Sequence, residues 1–304
     1  MATAPASSRP RILAVIPHYW HPSREPYGSA AARPDSRVAA LDACLQGLRA
    51  SLGHQQGFFD FRRREVLAAN GRLVADLEIL LLVHGDRHVL SHLRTPADHY
   101  TVQAVAGNPR ELGFAAQDFF RLARDHFDWF FYLEDDLILQ DPWYLSKLAW
   151  FNRLAGPGAL LQPHRFEQTE GQALLPKVYI DGALAEAEVQ PFRRTDGPEQ
   201  LQGLFLDQLL KFERTANPHS GCYCLSRAQL DQWLAQPHYA SRDSSFVGPL
   251  ESAASLGILR TFHVYKTVPE QAGFLEVRHW GERFLRKMRP PRSDSAVGAA
   301  PMVF

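Results

Sequence analysis

The sequence predicts an α/β fold built on a mostly parallel sheet with helices on both faces. Three observations lead there. Apolar runs of strand length recur at residues 11–16, 76–83 and 129–133. Stretches with apolar residues at helical spacing separate them. The longest runs stop abruptly at polar residues, as buried strands do at the rim of an open sheet.

Taken in order, residues 1–10 are small and polar and read as a disordered leader. The strand 11–16 (Arg-Ile-Leu-Ala-Val-Ile) ends at Pro17, and 17–34, with its His, Tyr, Trp, Gly and Pro, reads as a long loop. Residues 37–52 place Val38, Leu41, Leu45 and Leu48 on one helical face, and Gly53 closes the helix. A second strand at 76–83 ends in His84-Gly85-Asp86; a third, at 100–105, ends at Gly107-Asn108-Pro109. Residues 114–126 read as a helix with Phe114, Phe119 or Phe120, and Leu122 inward. The next strand carries four consecutive apolar or aromatic side chains, Trp129 to Tyr132, extended by Leu133.

The second half is less regular. Residues 143–154 read as a helix that stops near Gly156-Pro157-Gly158. Strands are expected at 159–162 and 177–180, with polar mobile loops at 167–172 and 186–198. A strand at 223–225, a helix at 227–234, a short helix at 251–256 before Gly257, and a strand at 259–265 follow. From residue 286 the chain turns basic and Pro-rich and reads as a tail.

A chain of 304 residues accommodates one large domain or two joined ones. Hydrophobic content of 45% and charge of 22% are globular values. Basic and acidic residues both number 33, and this zero formal charge argues against a general nucleic-acid binder. Cys44, Cys222 and Cys224 fit neither a disulfide framework nor a standard zinc spacing, so buried thiols are expected. No apolar run approaches the roughly 20 residues that span a bilayer, and residues 1–10 lack the apolar core of a signal peptide. The expectation is a soluble, cytoplasmic protein.

The strand 129–133 ends in Glu134, Asp135 and Asp136. Adjacent carboxylates repel, and burying them unpaired costs several kcal/mol or shifts their pKa, so something must compensate. Ligands bind at the carboxyl ends of strands in open α/β sheets. A hard divalent cation that also grips a ligand's phosphates is the natural compensator there.

The run Leu112-Gly-Phe-Ala-Ala-Gln-Asp-Phe119, a helix, and then Asp128-Trp-Phe-Phe-Tyr-Leu-Glu-Asp-Asp136 resembles the nucleotide-sugar-dependent glycosyltransferases of the GT-A fold. It is most similar to the rhamnosyltransferase-like members of family 2. The resemblance covers residues 11–140 and implies a nucleotide-sugar-binding half there, with an acceptor-binding, catalytic half at 141–285. It implies a metal site at Asp136 and Asp135 for Mn²⁺ or Mg²⁺, with Asp135 and Glu134 also contacting ribose or sugar. Pro17, His18, His84, Gly85 and Asp86 stand where such enzymes meet base and ribose. Gly113 would let the nucleotide approach the backbone, and Arg110 would reach a phosphate. Glu111 stands where the family usually has Asn, and Glu134 replaces Asn or Asp.

A hydroxyl acceptor needs a positioned base in an inverting reaction. Glu251, after Gly248-Pro249-Leu250 at the head of a small-residue helix, resembles the base of such enzymes; Asp243 and Asp181 are lesser candidates. A helix-terminus charge is the competing reading of Glu251. The resemblance also implies a late metal-ligating His, for which His279 is the first choice and His263 the rival. His164, Arg165 and His219 are candidates to line the acceptor side, within or near polar loops at 164–200 that would choose a carbohydrate or glycolipid acceptor. Trp20, Trp129, Trp143 and Trp280 are candidates to stack on sugar or base. Arg286, Lys287, Arg289 and Arg292 form a basic cluster suited to weak peripheral contact with an anionic membrane. Two alternatives stay open: a nucleotidyltransferase of similar fold, and an inactive carbohydrate-binding or scaffold module.

Overall fold

The computed structural model describes residues 9–22, 34–169, 171 and 175–287. β1 (Arg11–His18) leads to α1 (Asp35–Leu52), a hairpin of β2 (Gly57–Asp60) and β3 (Glu65–Ala68), then β4 (Asp76–Val83) and β5 (Thr101–Ala104). α2 (Leu112–Ala123) precedes β6 (Trp129–Leu133), β7 (Leu137–Ile138) and α3 (Tyr144–Ala155). Next come β8 (Ala159–Leu161), β9 (His164–Gln168), β10 (Lys177–Tyr179), the short α4 (Glu186–Val189), β11 (Gln200–Phe205) and β12 (Gln208–Arg214). The last elements are β13 (Cys222–Ser226), α5 (Arg227–Leu234), α6 (Pro249–Thr261), β14 (His263–Thr267) and β15 (Glu276–His279).

A five-stranded sheet in the order β13-β6-β1-β4-β5 forms the centre, parallel except for β13. The mixed α/β architecture with a mostly parallel sheet is the one the sequence predicts. Successive side chains of a strand face opposite ways, and in β1 and β6 both faces are buried. Ile12, Ala14 and Ile16 of β1, with Phe131 and Leu133 of β6, pack on Leu41, Cys44, Leu45 and Leu48 of α1. Leu13 and Val15, with Phe130 and Tyr132, pack on the other side with α2, α5 and α6. Each such fully buried side chain stabilises by roughly 1.5–3 kcal/mol, which explains why unbroken apolar runs specify these strands. All three cysteines are free and buried.

Two four-stranded sheets complete the fold, β10-β9-β15-β7 and β11-β12-β14-β8. The second half thereby has more regular structure than its composition suggests, and Glu167 belongs to a strand rather than a loop. The helix expected to stop before Gly257 runs on to Thr261, and the strand expected from 259 begins at His263. Gly257 is there for packing: a Cβ on it would lie 2.3 Å from the Trp233 ring. Among the described residues, no helix is long and apolar enough to cross a membrane.

Candidate active site

The three carboxylates after β6 are compensated in three different ways. Asp135 is buried and held from two sides. The Val89 N–H donates to His18 Nε2 (3.2 Å), so the ring proton sits on Nδ1 and is donated to Asp135 Oδ2 at 2.5 Å. Arg37, in the first turn of α1, donates to Asp135 Oδ1 and lies 3.5 Å from Asp136 Oδ2. Burial alone would raise the Asp135 carboxyl, but Arg37 and His18 bring it below its ordinary value.

Glu134 takes up a proton instead. Burial first, then the charge of Asp136, pushes its carboxyl up to about 8, against the opposing pull of Arg165. It is therefore a hydrogen-bond donor at neutral pH. Its N–H donates to Gly221 O (2.9 Å), which extends the β6–β13 ladder. Gly221 has φ +61°, and a Cβ there would lie 2.6 Å from Glu134 Oε2, so only glycine leaves room for this carboxyl.

Asp136 is the open member, with its side chain 26% exposed. Antiparallel pairing of β7 with β15 sets His279 opposite Leu137, and the Trp280 N–H donates to Asp136 O (2.7 Å). This ladder brings His279 Nε2 to 3.9 Å from Asp136 Oδ2, too long for a hydrogen bond. Behind the ring, Glu167 is fully buried and its Oε1 lies 3.0 Å from His279 Nδ1. Glu167 Oε2 also accepts the N–H groups of Phe284 (2.8 Å) and Leu285 (2.7 Å). A carboxylate only accepts, so Nδ1 carries the proton and the Nε2 lone pair faces Asp136.

These residues fit a divalent cation. Among the described residues, Asp136 Oδ1 and Glu134 Oε1 are buried without a hydrogen-bond partner. A carboxylate oxygen suits Mn²⁺ or Mg²⁺, an imidazole nitrogen favours the softer Mn²⁺ of the two, and a carboxylate behind the histidine is the usual orienting arrangement. No group of three or more His, Cys, Asp or Glu side chains is arranged as a complete cage among the described residues. A ligand's phosphates and water would have to supply the remaining positions. Asp135, engaged by His18 and Arg37, is not free to ligate as expected from the sequence.

Glu251 lies in the first turn of α6, next to Gly248 and Pro249, and its charge contributes to raising Glu134. Its carboxylate folds back over Gly248, where a Cβ would lie 2.9 Å from Oε2. The lesser base candidates are engaged elsewhere. Asp181 is fully buried between Arg165 and Lys266, and Asp243 binds the Ser245 N–H and Arg260. His263 pairs with Asp196 (3.3 Å), which leaves His279 as the late histidine of the site.

The carboxyl rim of the sheet carries the other expected residues. His84 Nε2 donates to Gly107 O (2.9 Å), Gly85 adopts φ +59°, and Asp86 is exposed. Arg110 lies in the Pro109–Glu111 turn before α2, where its N–H donates to Asn108 Oδ1. Three expected nucleotide contacts are corrected. His18 and Pro17 are buried within β1, and both ring nitrogens of His18 are already used. A Cβ on Gly113 would meet Tyr132 Oη at 2.7 Å and Ala253 Cβ at 2.9 Å, so this glycine serves helix packing.

His164 donates to Thr267 O, and Arg165 is tied to Asp181 within β9. His219 is pushed down to about 3 by burial and the Arg165 charge and is neutral. Trp20 and Trp129 pack against the core, while Trp143 is 51% exposed. Arg286 is exposed and pairs with Glu282; Arg289 and Arg292 lie outside the described residues. Arg37 and Glu167 were not anticipated. One is an ordinary helical arginine in sequence and the other sits in a polar stretch, and only tertiary pairing gives them roles.

No family model and no curated protein matches the chain. Solved structures do. The chain is similar to GalNAc-T7 with UDP, GalNAc and Mn²⁺, at TM-score 0.46 and 11% identity, over 90% of this chain and 44% of that one. It is similar to S. aureus TarS at TM-score 0.43 and 10% identity, over 90% and 37%. A third is Mycobacterium tuberculosis glucosyl-3-phosphoglycerate synthase with phosphoglyceric acid, at TM-score 0.37 and 16% identity, over 90% and 72%. The chain spans less than half the length of the first two.

Proposed function

We propose that the chain is a metal-dependent glycosyltransferase of the GT-A type. It moves a sugar from a nucleoside-diphosphate donor to a hydroxyl of a glycan, polysaccharide or glycolipid, with inversion. The observation that carries this reading is the convergence of Asp136 and His279 at the end of β6, with Glu167 fixing the imidazole. A partly exposed carboxylate with one unpartnered oxygen and an oriented imidazole, facing each other without a hydrogen bond, are the donors of an incomplete cation site.

Asp136 and His279 would hold Mn²⁺ or Mg²⁺ together with the donor's diphosphate. Bound there, the cation stabilises the negative charge of the departing nucleoside diphosphate. Glu134 contacts the sugar or ribose. His84, Gly85, Asp86 and Arg110 line the nucleotide side of the rim. Glu251 takes the proton of the acceptor hydroxyl as that oxygen attacks the anomeric carbon.

Titration calorimetry with a panel of nucleoside diphosphates and their sugars, with and without Mn²⁺, tests the reading. The wild type is expected to bind in a Mn²⁺-dependent way, and Asp136→Ala to lose that binding while melting within a few degrees of wild type. Mn²⁺-dependent nucleotide binding that survives in Asp136→Ala overturns the assignment. Release of pyrophosphate rather than nucleoside diphosphate would mark a nucleotidyltransferase.

A further inference from the structure

The β2–β3 hairpin carries a cluster of exposed large apolar side chains. Phe58, Phe59, Phe61, Val66 and Leu67 are 66, 46, 85, 71 and 43% exposed. Cross-strand partners share a face, so Phe58 with Leu67 lies on one side and Phe59 with Val66 on the other. Both faces are thus apolar and open. Phe61 stacks edge-on against Phe59 at 4.9 Å. Three consecutive arginines, Arg62, Arg63 and Arg64, form the exposed turn. Asp60 is turned inward to accept the Arg62 and Arg63 N–H groups at 2.8 and 3.1 Å, and Glu65 stands opposite it in the ladder.

The hairpin is firmly rooted. The Ala69 N–H donates to Gln56 O, the Gln56 side chain donates to Ala50 O and Gly53 O, and the Ala75 N–H donates to Leu52 O. Its root lies at the amino end of β4, and the acidic tip lies at the carboxyl ends of the parallel strands. Eight residues of β4 at about 3.3 Å each separate these ends by about 25 Å.

We propose that this hairpin docks the protein on an anionic lipid surface. A protein partner or a second copy would cover one face of a two-stranded ribbon and leave the other wet. A fluid interface takes both faces at once. Phe and Leu side chains bury at the boundary of headgroups and acyl chains, and arginines reach from there to lipid phosphates while burying their stems. The unpaired backbone edges of two strands keep the element in the interface rather than the hydrocarbon core. Contact at this end leaves the acidic tip unobstructed, and the proposal stands apart from the chemistry assigned to that tip.

Sedimentation with vesicles of equal parts phosphatidylcholine and phosphatidylglycerol, beside vesicles of phosphatidylcholine alone, tests it. The wild type is expected to bind the anionic vesicles, more weakly as salt rises. Each arginine at such a surface contributes about fivefold, so Arg62→Ser/Arg63→Ser/Arg64→Ser is expected to weaken binding about a hundredfold. Phe58→Ser/Phe61→Ser should weaken it about tenfold or more. Unchanged circular dichroism and melting establish that both variants are folded. Three results overturn the proposal. The wild type fails to bind at low salt; binding survives both hairpin variants and is lost only in Arg286→Ser/Lys287→Ser/Arg289→Ser/Arg292→Ser; or the wild type is a dimer that Phe58→Ser/Phe61→Ser converts to monomer without any vesicle binding.

Discussion

Asp181 and the acidic tip after β6 are both buried carboxylate regions, and they differ in whether the chain itself finishes them. Asp181 receives Arg165 Nε on one oxygen (2.8 Å) and Lys266 Nζ (2.7 Å) and the Arg165 N–H (2.9 Å) on the other. Burial would raise its carboxyl, but Lys266 and Arg165 hold it at about 2. At the tip, Asp135 is finished in the same way, while Asp136 Oδ1 and Glu134 Oε1 lack partners among the described residues. A complete set of partners marks a group that serves folding. An incomplete set at a sheet's carboxyl end marks a group whose partner arrives from outside. Removing a member of the first set should therefore weaken the fold, and removing a member of the second should weaken binding or turnover.

The largest effect should fall on Asp181. Asp181→Asn leaves Arg165 and Lys266 buried without their anion and is expected to cost about 3–5 kcal/mol in urea denaturation. The pH dependence follows from its depressed pKa. With an unfolded value near 3.9, the stabilisation from Asp181 is fully present above about pH 4 and is lost as pH falls through about 2. Wild-type stability should decline across that window, and the Asn variant should lack this part of the decline. An Asp181→Asn protein as stable as wild type would erase the contrast between the two regions.

Glu251→Gln comes next, with single-turnover transfer slowed about 10²-fold or more at nearly unchanged donor affinity. A chemical step within a few-fold of wild type would reduce Glu251 to a charge at the helix start. Glu167→Gln should have the smallest effect. Its amide can keep accepting backbone N–H groups but presents a donor to His279 Nδ1, which moves the ring proton to Nε2 and blocks the lone pair. Mn²⁺ affinity, followed by electron paramagnetic resonance, is expected to fall about tenfold. Unchanged affinity would make Glu167 a purely structural carboxylate, like Asp181.

The central sheet was legible because local pattern and burial agree. The apolar runs of β1 and β6, and the carboxyl half of β4, are buried by contacts that any apolar run of that length requires. The acidic tip was legible for the opposite reason, since Glu134-Asp135-Asp136 after Leu133 makes no sense as core. What compensates it was not legible. Arg37 reaches Asp135 across 98 positions of sequence and Glu167 reaches His279 across 112, and neither carries a local mark. The hairpin at 57–68 went unassigned because exposed strands lack the clean alternation that burial on one face imposes, and the β11–β12 pair because Gly203 and Arg214 stand at inward positions and break the apolar pattern. Gly113 and Gly257 were misread for a related reason. Sequence shows that a glycine permits close approach but not what approaches, and here it is Tyr132 and Trp233 rather than a nucleotide or a helix end.

Gly221 carries a consequence for how such a chain can change over evolutionary time. Its backbone lies in the left-handed region, and its missing side chain is the space that the Glu134 carboxyl fills. The two positions are far apart in sequence yet behave as one fitted pair. A lineage that enlarges position 221 must first shorten the acid at 134, and even then the left-handed backbone and Leu137, 2.9 Å from such a Cβ, restrict what can replace the glycine. Substitution in the wrong order passes through a clash at the head of the acidic tip, so the permitted path between such sequences has a direction.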